Sequence, residues 1–181
     1  MKKLILASGS PRRAKILAAQ GVPFEVVKTS APEVAYAADP VRTVTENALA
    51  KGLAARKLFP QNDVSVLSSD TIVWRDGHIY GKPCDVEEAR RFLRELSGRT
   101  HAVYTGVAFD GDVRVEESRV TFRALTDQAI DDYIARVHPL DRAGAYDIDT
   151  EGDRIIARWE GSYENIMGLP LAPLRAWGLI R

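Results

Sequence analysis

The chain has 181 residues, 25 lysines and arginines against 25 aspartates and glutamates, and 45% hydrophobic residues. That length suits one domain of two lobes with a real core, and the balanced charge offers no global field to draw nucleic acid or a membrane surface, so any anion site is local. Cys84, the only cysteine, excludes an internal disulfide and suits the cytoplasm, while the Met-Lys-Lys start imitates a signal peptide whose apolar part, Leu4–Ala7, is far too short.

Leu4–Ala7 reads as a buried strand. Ser10 offers an N-cap hydroxyl and Pro11 suits the first helical position, so a helix is predicted over Arg12–Gln20 with Ile16 and Leu17 inward and Gly21 stopping it. Arg12 and Arg13 then sit at the positive end of the helix dipole, which disfavours cations. An anion in the Ser-Gly-Ser loop would resolve that conflict, whereas a merely solvated basic helix start would not need one. The segment alone leaves both readings open.

Phe24–Val27 is a second short strand, followed by a polar stretch, Lys28–Asp39, that contains Glu33, a loop glutamate of the kind that is usually just solvated. Asp39-Pro40 opens a long helix running to about Phe59, on which Val44, Ala48 and Lys51 share one face. Lys51 thus snorkels from the apolar stripe or points into a cleft. Val64–Val73 is a central strand interrupted at Ser68-Ser69, and Asp70 is an acid inside it. Such a carboxylate needs a metal, a cation or backbone donors, and its isolation favours a functional role. Arg75-Asp76-Gly77 turns the chain into His78–Tyr80, and Gly81-Lys82-Pro83 holds a lysine rigidly, as suits a cation aimed at phosphate.

Asp85 caps a helix over Val86–Leu96, with Glu88 completing a capping-box pair. Thr100–Phe109 and Val113–Arg123 alternate as two antiparallel strands. Thr126 caps Asp127–Arg136, His138-Pro139 breaks it, and Asp141–Asp149 is a loop or strand at the site. Arg154–Trp159 is strand-like, Gly161–Pro170 is punctuated by glycine, and Leu171–Trp177 is a final helix.

Familiar catalytic templates fail. His78, His101 and His138 lack metal-ligand spacing, Cys84 has no local base, and neither Gly-x-x-x-x-Gly-Lys nor Gly-x-Gly-x-x-Gly occurs. What remains is Arg12, Arg13, Lys51 and Lys82 as cations with Glu33 and Asp70 as carboxylates. That set suits a polyphosphate with a divalent cation.

Together, LASGSPRR at 6–13, Glu33, LAKG at 49–52, SDTIV at 69–73, GKP at 81–83, LSGRTHAVYTGV at 96–107, AGAY at 143–146 and GSYENIMGLP at 161–170 resemble the Maf proteins, in order and over essentially the whole chain. The resemblance implies an α/β fold, with a central mixed twisted sheet flanked by helices and a cleft between two lobes. It also implies a cytoplasmic homodimer that hydrolyses nucleoside triphosphates to monophosphate and pyrophosphate with magnesium or manganese. By motif, Asp70 would be the proton acceptor for water, Glu33 would assist it at the metal, and Ser8, Arg13, Lys51 and Lys82 would hold the triphosphate.

Arg12 and Thr71 resemble the branch acting on dTTP and UTP; the branch acting on 7-methyl-GTP carries tryptophan in place of Arg12. That first branch has glutamine where this chain has Asp149, and glycine where it has Asp147. A carboxylate at a base edge accepts but does not donate, so Asp149 is expected to weaken dTTP and UTP and to favour cytosine or guanine nucleotides. Arg13 and Lys82 are expected to partner the ligand and not the core. A non-catalytic, nucleotide-binding regulator of division and septum formation is the competing reading, against which the joint presence of Asp70, Lys51 and Lys82 argues.

Overall fold

A computed structural model describes residues 2–61 and 63–181, so Met1 of the Met-Lys-Lys start lies outside the described residues. Among them, seven strands form one mixed sheet. β1 (Lys3–Ala7) runs parallel to β2 (Phe24–Val26) on one side and to β3 (Val64–Arg75) on the other. β3 pairs antiparallel with β5 (Thr100–Phe109), which pairs with β6 (Asp112–Phe122) and through it with β7 (Ile156–Glu160). The short β4 (His78–Tyr80) folds back on the end of β3 through Asp76 and Gly77, both at positive φ as a tight hairpin requires.

The α/β expectation therefore holds, with shifted ends. α1 spans Pro11–Ala19, and Ser10 makes no side-chain cap; the Ser8 hydroxyl instead accepts from the Ser10 N–H at 3.1 Å. α2 spans Pro40–Arg56, capped by Asp39 on the Arg42 N–H, and stops short of Phe59 because Pro60 disfavours helical backbone before it. α3 (Val86–Leu96) is capped by Asp85, but Glu88 reaches back to the Cys84 N–H and not to that of Asp85. α4 is Asp127–Val137, and 139–154 holds short 3₁₀ turns, which delays β7 relative to Arg154. The glycine-punctuated stretch contains a short α5 (Tyr163–Met167), and α6 is Leu171–Ala176.

Ser68 and Ser69 do not interrupt β3. Their hydroxyls point to opposite faces and each finds a carbonyl, Ser68 that of Ala48 at 2.7 Å and Ser69 that of Gly168 at 2.8 Å. Buried hydroxyls satisfied in this way leave the ladder intact.

Two features open the site. β1 pairs with 64–68 of β3 and β4 with 73–75 on the same edge, so 69–72 face a gap in the sheet. Leu67 packs in an apolar cluster with β1, α1 and α6, and Val73 in another with α3 and α4. The gap lies between two cores and holds a cleft of about 660 Å³. Second, α2 lies directly on β5 at Gly106, where a Cβ would stand 2.4 Å from the Val44 carbonyl oxygen. Gly106 is the register partner of Asp70, so α2 is brought down beside the acid.

Candidate active site

Asp70 lies in the gap, 6% exposed. Its Oδ2 accepts from the Asn47 side-chain amide at 3.0 Å, and its Oδ1 stands 2.5 Å from Lys51 Nζ. Lys51 also meets Glu33 Oε1 at 2.8 Å, so one ammonium bridges two carboxylates. Of the two readings of Lys51, the cleft is the one realised. A helix period below Lys51, Asn47 shares its face and was missed in the sequence, although the i, i+4 spacing signals it. Asn47 also pins the Glu33 loop by bonding both the N–H and the carbonyl of Val34.

Arg13 reaches into the same cleft from α1. It donates from Nε to the Gly168 carbonyl at 2.7 Å, from Nη2 to Thr71 Oγ1 at 2.9 Å and, at 3.4 Å, from Nη1 to Ser8 Oγ. Burial pulls its pKa down to about 10, and the charge of Asp70 opposes that pull, so Arg13 stays a cation at neutral pH. The expectation that Arg13 partners only ligand is corrected here: its partners include β3 and the turn after α5. Gly168, at φ 102°, is what permits this, since a Cβ there would stand 3.1 Å from Thr71 Oγ1 and 3.2 Å from Arg13 Nε.

Lys82 is exposed at the cleft wall, with no hydrogen bond or ion pair among the described residues. Ser8, Arg12 and Thr71 line the cleft. Arg12 lies 3.7 Å from Asp147 Oδ2, which also accepts from Arg142 Nε at 2.7 Å. Arg142 and Asp147 are thus cleft residues that the sequence reading did not single out for binding, Asp147 being noted only as a departure from glycine.

Asp149 corrects an expectation. It does not line the cleft; its carboxylate bonds Lys15 Nζ at 2.9 Å and the Tyr163 hydroxyl at 3.1 Å. The Lys15 hydrogen bond holds its pKa below the ordinary aspartate value. Asp147 and Asp149 lie two residues apart, but only Asp147 turns inward, where the Tyr133 hydroxyl accepts from its N–H.

The donors for a metal are few: among the described residues no cluster of three or more His, Cys, Asp or Glu could hold one. Glu33 and Asp70 do converge on a single cationic point, the one Lys51 Nζ fills. Two converging carboxylates fit a magnesium-type ion that completes its shell with phosphate oxygens and water, not with protein. No helix among the described residues is long and apolar enough to cross a membrane.

A dTTP/UTP pyrophosphatase of Bacillus cytotoxicus is 44% identical over 179 residues, covering 96% of this chain and 93% of that protein. Proteins of the same name from Bacillus cereus and Bacillus mycoides are 43% and 44% identical over 96% of the chain, covering 87% and 93% of their own lengths. The Maf-like protein profile matches residues 3–177, and the chain belongs to that family.

Proposed function

We propose that this protein hydrolyses the anhydride between the α and β phosphates of nucleoside triphosphates of the dTTP/UTP type, releasing a monophosphate and pyrophosphate. The observation that carries the reading is Asp70: a nearly buried carboxylate in a cleft whose other charged groups include Arg13, Lys51 and Lys82. Asp70 accepts the proton of the attacking water while Asn47 and Lys51 fix its orientation. Arg13 and Lys82 hold the phosphates, with the Ser8 hydroxyl beside them, and charge on the leaving pyrophosphate falls toward these cations. Glu33 and Asp70 would hold magnesium or manganese, which supplies further charge neutralisation at the phosphates when bound. Arg12, which lies 3.7 Å from Asp147 Oδ2, and Thr71, which accepts from Arg13, line the same cleft and complete the substrate-binding set.

The chain would work as one domain of two lobes, in the cytoplasm, as a homodimer; the exposed free thiol of Cys84 suits a reducing compartment. Light scattering on the purified protein reads the dimer.

The activity is tested with a nucleotide panel and magnesium, resolving pyrophosphate from orthophosphate. Pyrophosphate from UTP and dTTP is expected, and Asp70→Asn should lower kcat by about two to four orders of magnitude while the protein stays folded. Orthophosphate as first product would make the protein a phosphatase. Nucleotide binding without turnover would favour the non-catalytic regulator.

A further inference from the structure

The contacts of Arg13 continue beyond the residues that touch it. Thr71 Oγ1, which accepts from Arg13 Nη2, lies 3.0 Å from Thr105 Oγ1. Thr105 Oγ1 donates in turn to the carbonyl oxygen of Asn165 at 2.9 Å. The N–H of Gly168 donates to that same carbonyl at 3.0 Å, and the carbonyl of Gly168 receives Arg13 Nε at 2.7 Å. The path returns to its start, joining Arg13, Thr71, Thr105, Asn165 and Gly168 in a closed circuit across α1, β3, β5 and α5.

Proton accounting gives the circuit a direction. A hydroxyl has one hydrogen, and a backbone carbonyl only accepts. The Thr105 hydrogen is therefore committed to Asn165, so Thr105 accepts from Thr71. The Thr71 hydrogen is thereby committed as well, which leaves Thr71 lone pairs for Arg13. Thr105 and Asn165 are both fully buried, so water does not compete for these bonds. The guanidinium is gripped through Nε and Nη2, and Nη1, whose one hydrogen bond among the described residues is the long 3.4 Å approach to Ser8, is its free edge.

We propose that Thr105 is a positioning residue for anion binding: through Thr71 it locks the plane of Arg13 so that Nη1 faces the bound polyphosphate. It follows that the Thr71 hydroxyl acts as an acceptor for Arg13 and has no hydrogen to give a substrate. The proposal rests on the phosphate-binding part of the function proposed above, not on turnover.

The test is a double-mutant cycle read by binding. Calorimetry with inorganic tripolyphosphate and magnesium gives Kd for wild type, Thr105→Val, Thr105→Ser, Arg13→Ala and Arg13→Ala with Thr105→Val. The valine variant keeps the side-chain shape and should weaken binding about tenfold, while serine, which restores the hydroxyl, should return it to within about twofold. On the Arg13→Ala background, Thr105→Val should add nothing. An equal loss on both backgrounds, or no loss in Thr105→Val, overturns the proposal. Should Thr105→Val fail to fold, Thr71→Val against Thr71→Ser cuts the same circuit one link earlier and is read in the same way. A wild type that binds tripolyphosphate but cleaves no nucleotide would refute the pyrophosphatase reading and leave this cycle interpretable. A wild type that binds no tripolyphosphate would refute both.

Discussion

Lys51 and Lys82 are both cleft lysines, yet the protein holds them in opposite ways. Lys51 joins Glu33 to the nearly buried Asp70, whereas Lys82 has no partner among the described residues. Removing one partner of a buried pair leaves the other charge uncompensated. Lys51→Ala should therefore destabilise the fold by about 1–3 kcal/mol, and Lys82→Ala by no more than about 0.5 kcal/mol, in urea unfolding. Equal losses would mean that the bridge over Asp70 is not formed. Arg13→Ala belongs with Lys51→Ala, because Gly168 and Thr71 lose their donor. His101 marks a different use of burial. Its Nε2 meets the Tyr146 hydroxyl at 2.9 Å, and burial, with the Arg75 charge second, lowers its pKa to about 3. The unfolded imidazole titrates near 6.5, so below that pH the unfolded chain takes up a proton that the folded one refuses. Stability should fall as pH drops from about 6.5, approaching about 1.4 kcal/mol per unit between there and pH 5, where most carboxylates stay ionised. His101→Gln should flatten that limb in pH-dependent unfolding; an unchanged slope would show that other groups carry it.

At the scale of elements, the segment 141–149 separates what a sequence can tell from what it cannot. Its small residues and motif marked it as belonging to the site, and Arg142 and Asp147 do line the cleft. Which of its two aspartates turns inward depends on Tyr133 and Lys15, partners from distant helices that no local pattern encodes. Because Asp149 is engaged with Lys15 and Tyr163, Asp149→Gln should leave the ratios of kcat/KM among UTP, dTTP, CTP and GTP within about twofold of wild type. Asp147→Asn, which removes the charge that faces Arg12 and Arg142, should move them; a panel that responds to Asp149 alone would reverse this assignment. The strands and long helices were legible because apolar period and capping residues are local signals, as Asp39, Asp85 and Thr126 all act as read. Ser68-Ser69 was misread as a break because the carbonyls that satisfy them come from α2 and from the turn after α5. Asp70 was legible as a type, since an acid in an apolar strand demands a partner, whereas Lys51 stood between two readings and Glu33 was only one of the remaining carboxylates. Their convergence was not, because it depends on α2 sitting on Gly106.

For the whole molecule, the cleft separates two apolar clusters that share β3, with Leu67 in one and Val73 in the other. A ligand held from both sides links them, and any ligand that binds only the folded state stabilises it by mass action. A non-hydrolysable UTP analogue with magnesium, at a hundred times its Kd, should add about 2.7 kcal/mol. For a chain of this size that raises Tm by roughly 5–10 °C. Magnesium alone should do far less. Among the described residues only Glu33 and Asp70 converge there, and Lys51 already bridges them, so the ion has little to gain without phosphate oxygens. Melting curves with magnesium, analogue, and both together separate the contributions, and the combined shift should exceed the sum of the other two. A full shift from magnesium alone would mean that the protein forms a complete metal site before nucleotide arrives, and that Lys51 yields its place between the two carboxylates to the bare ion.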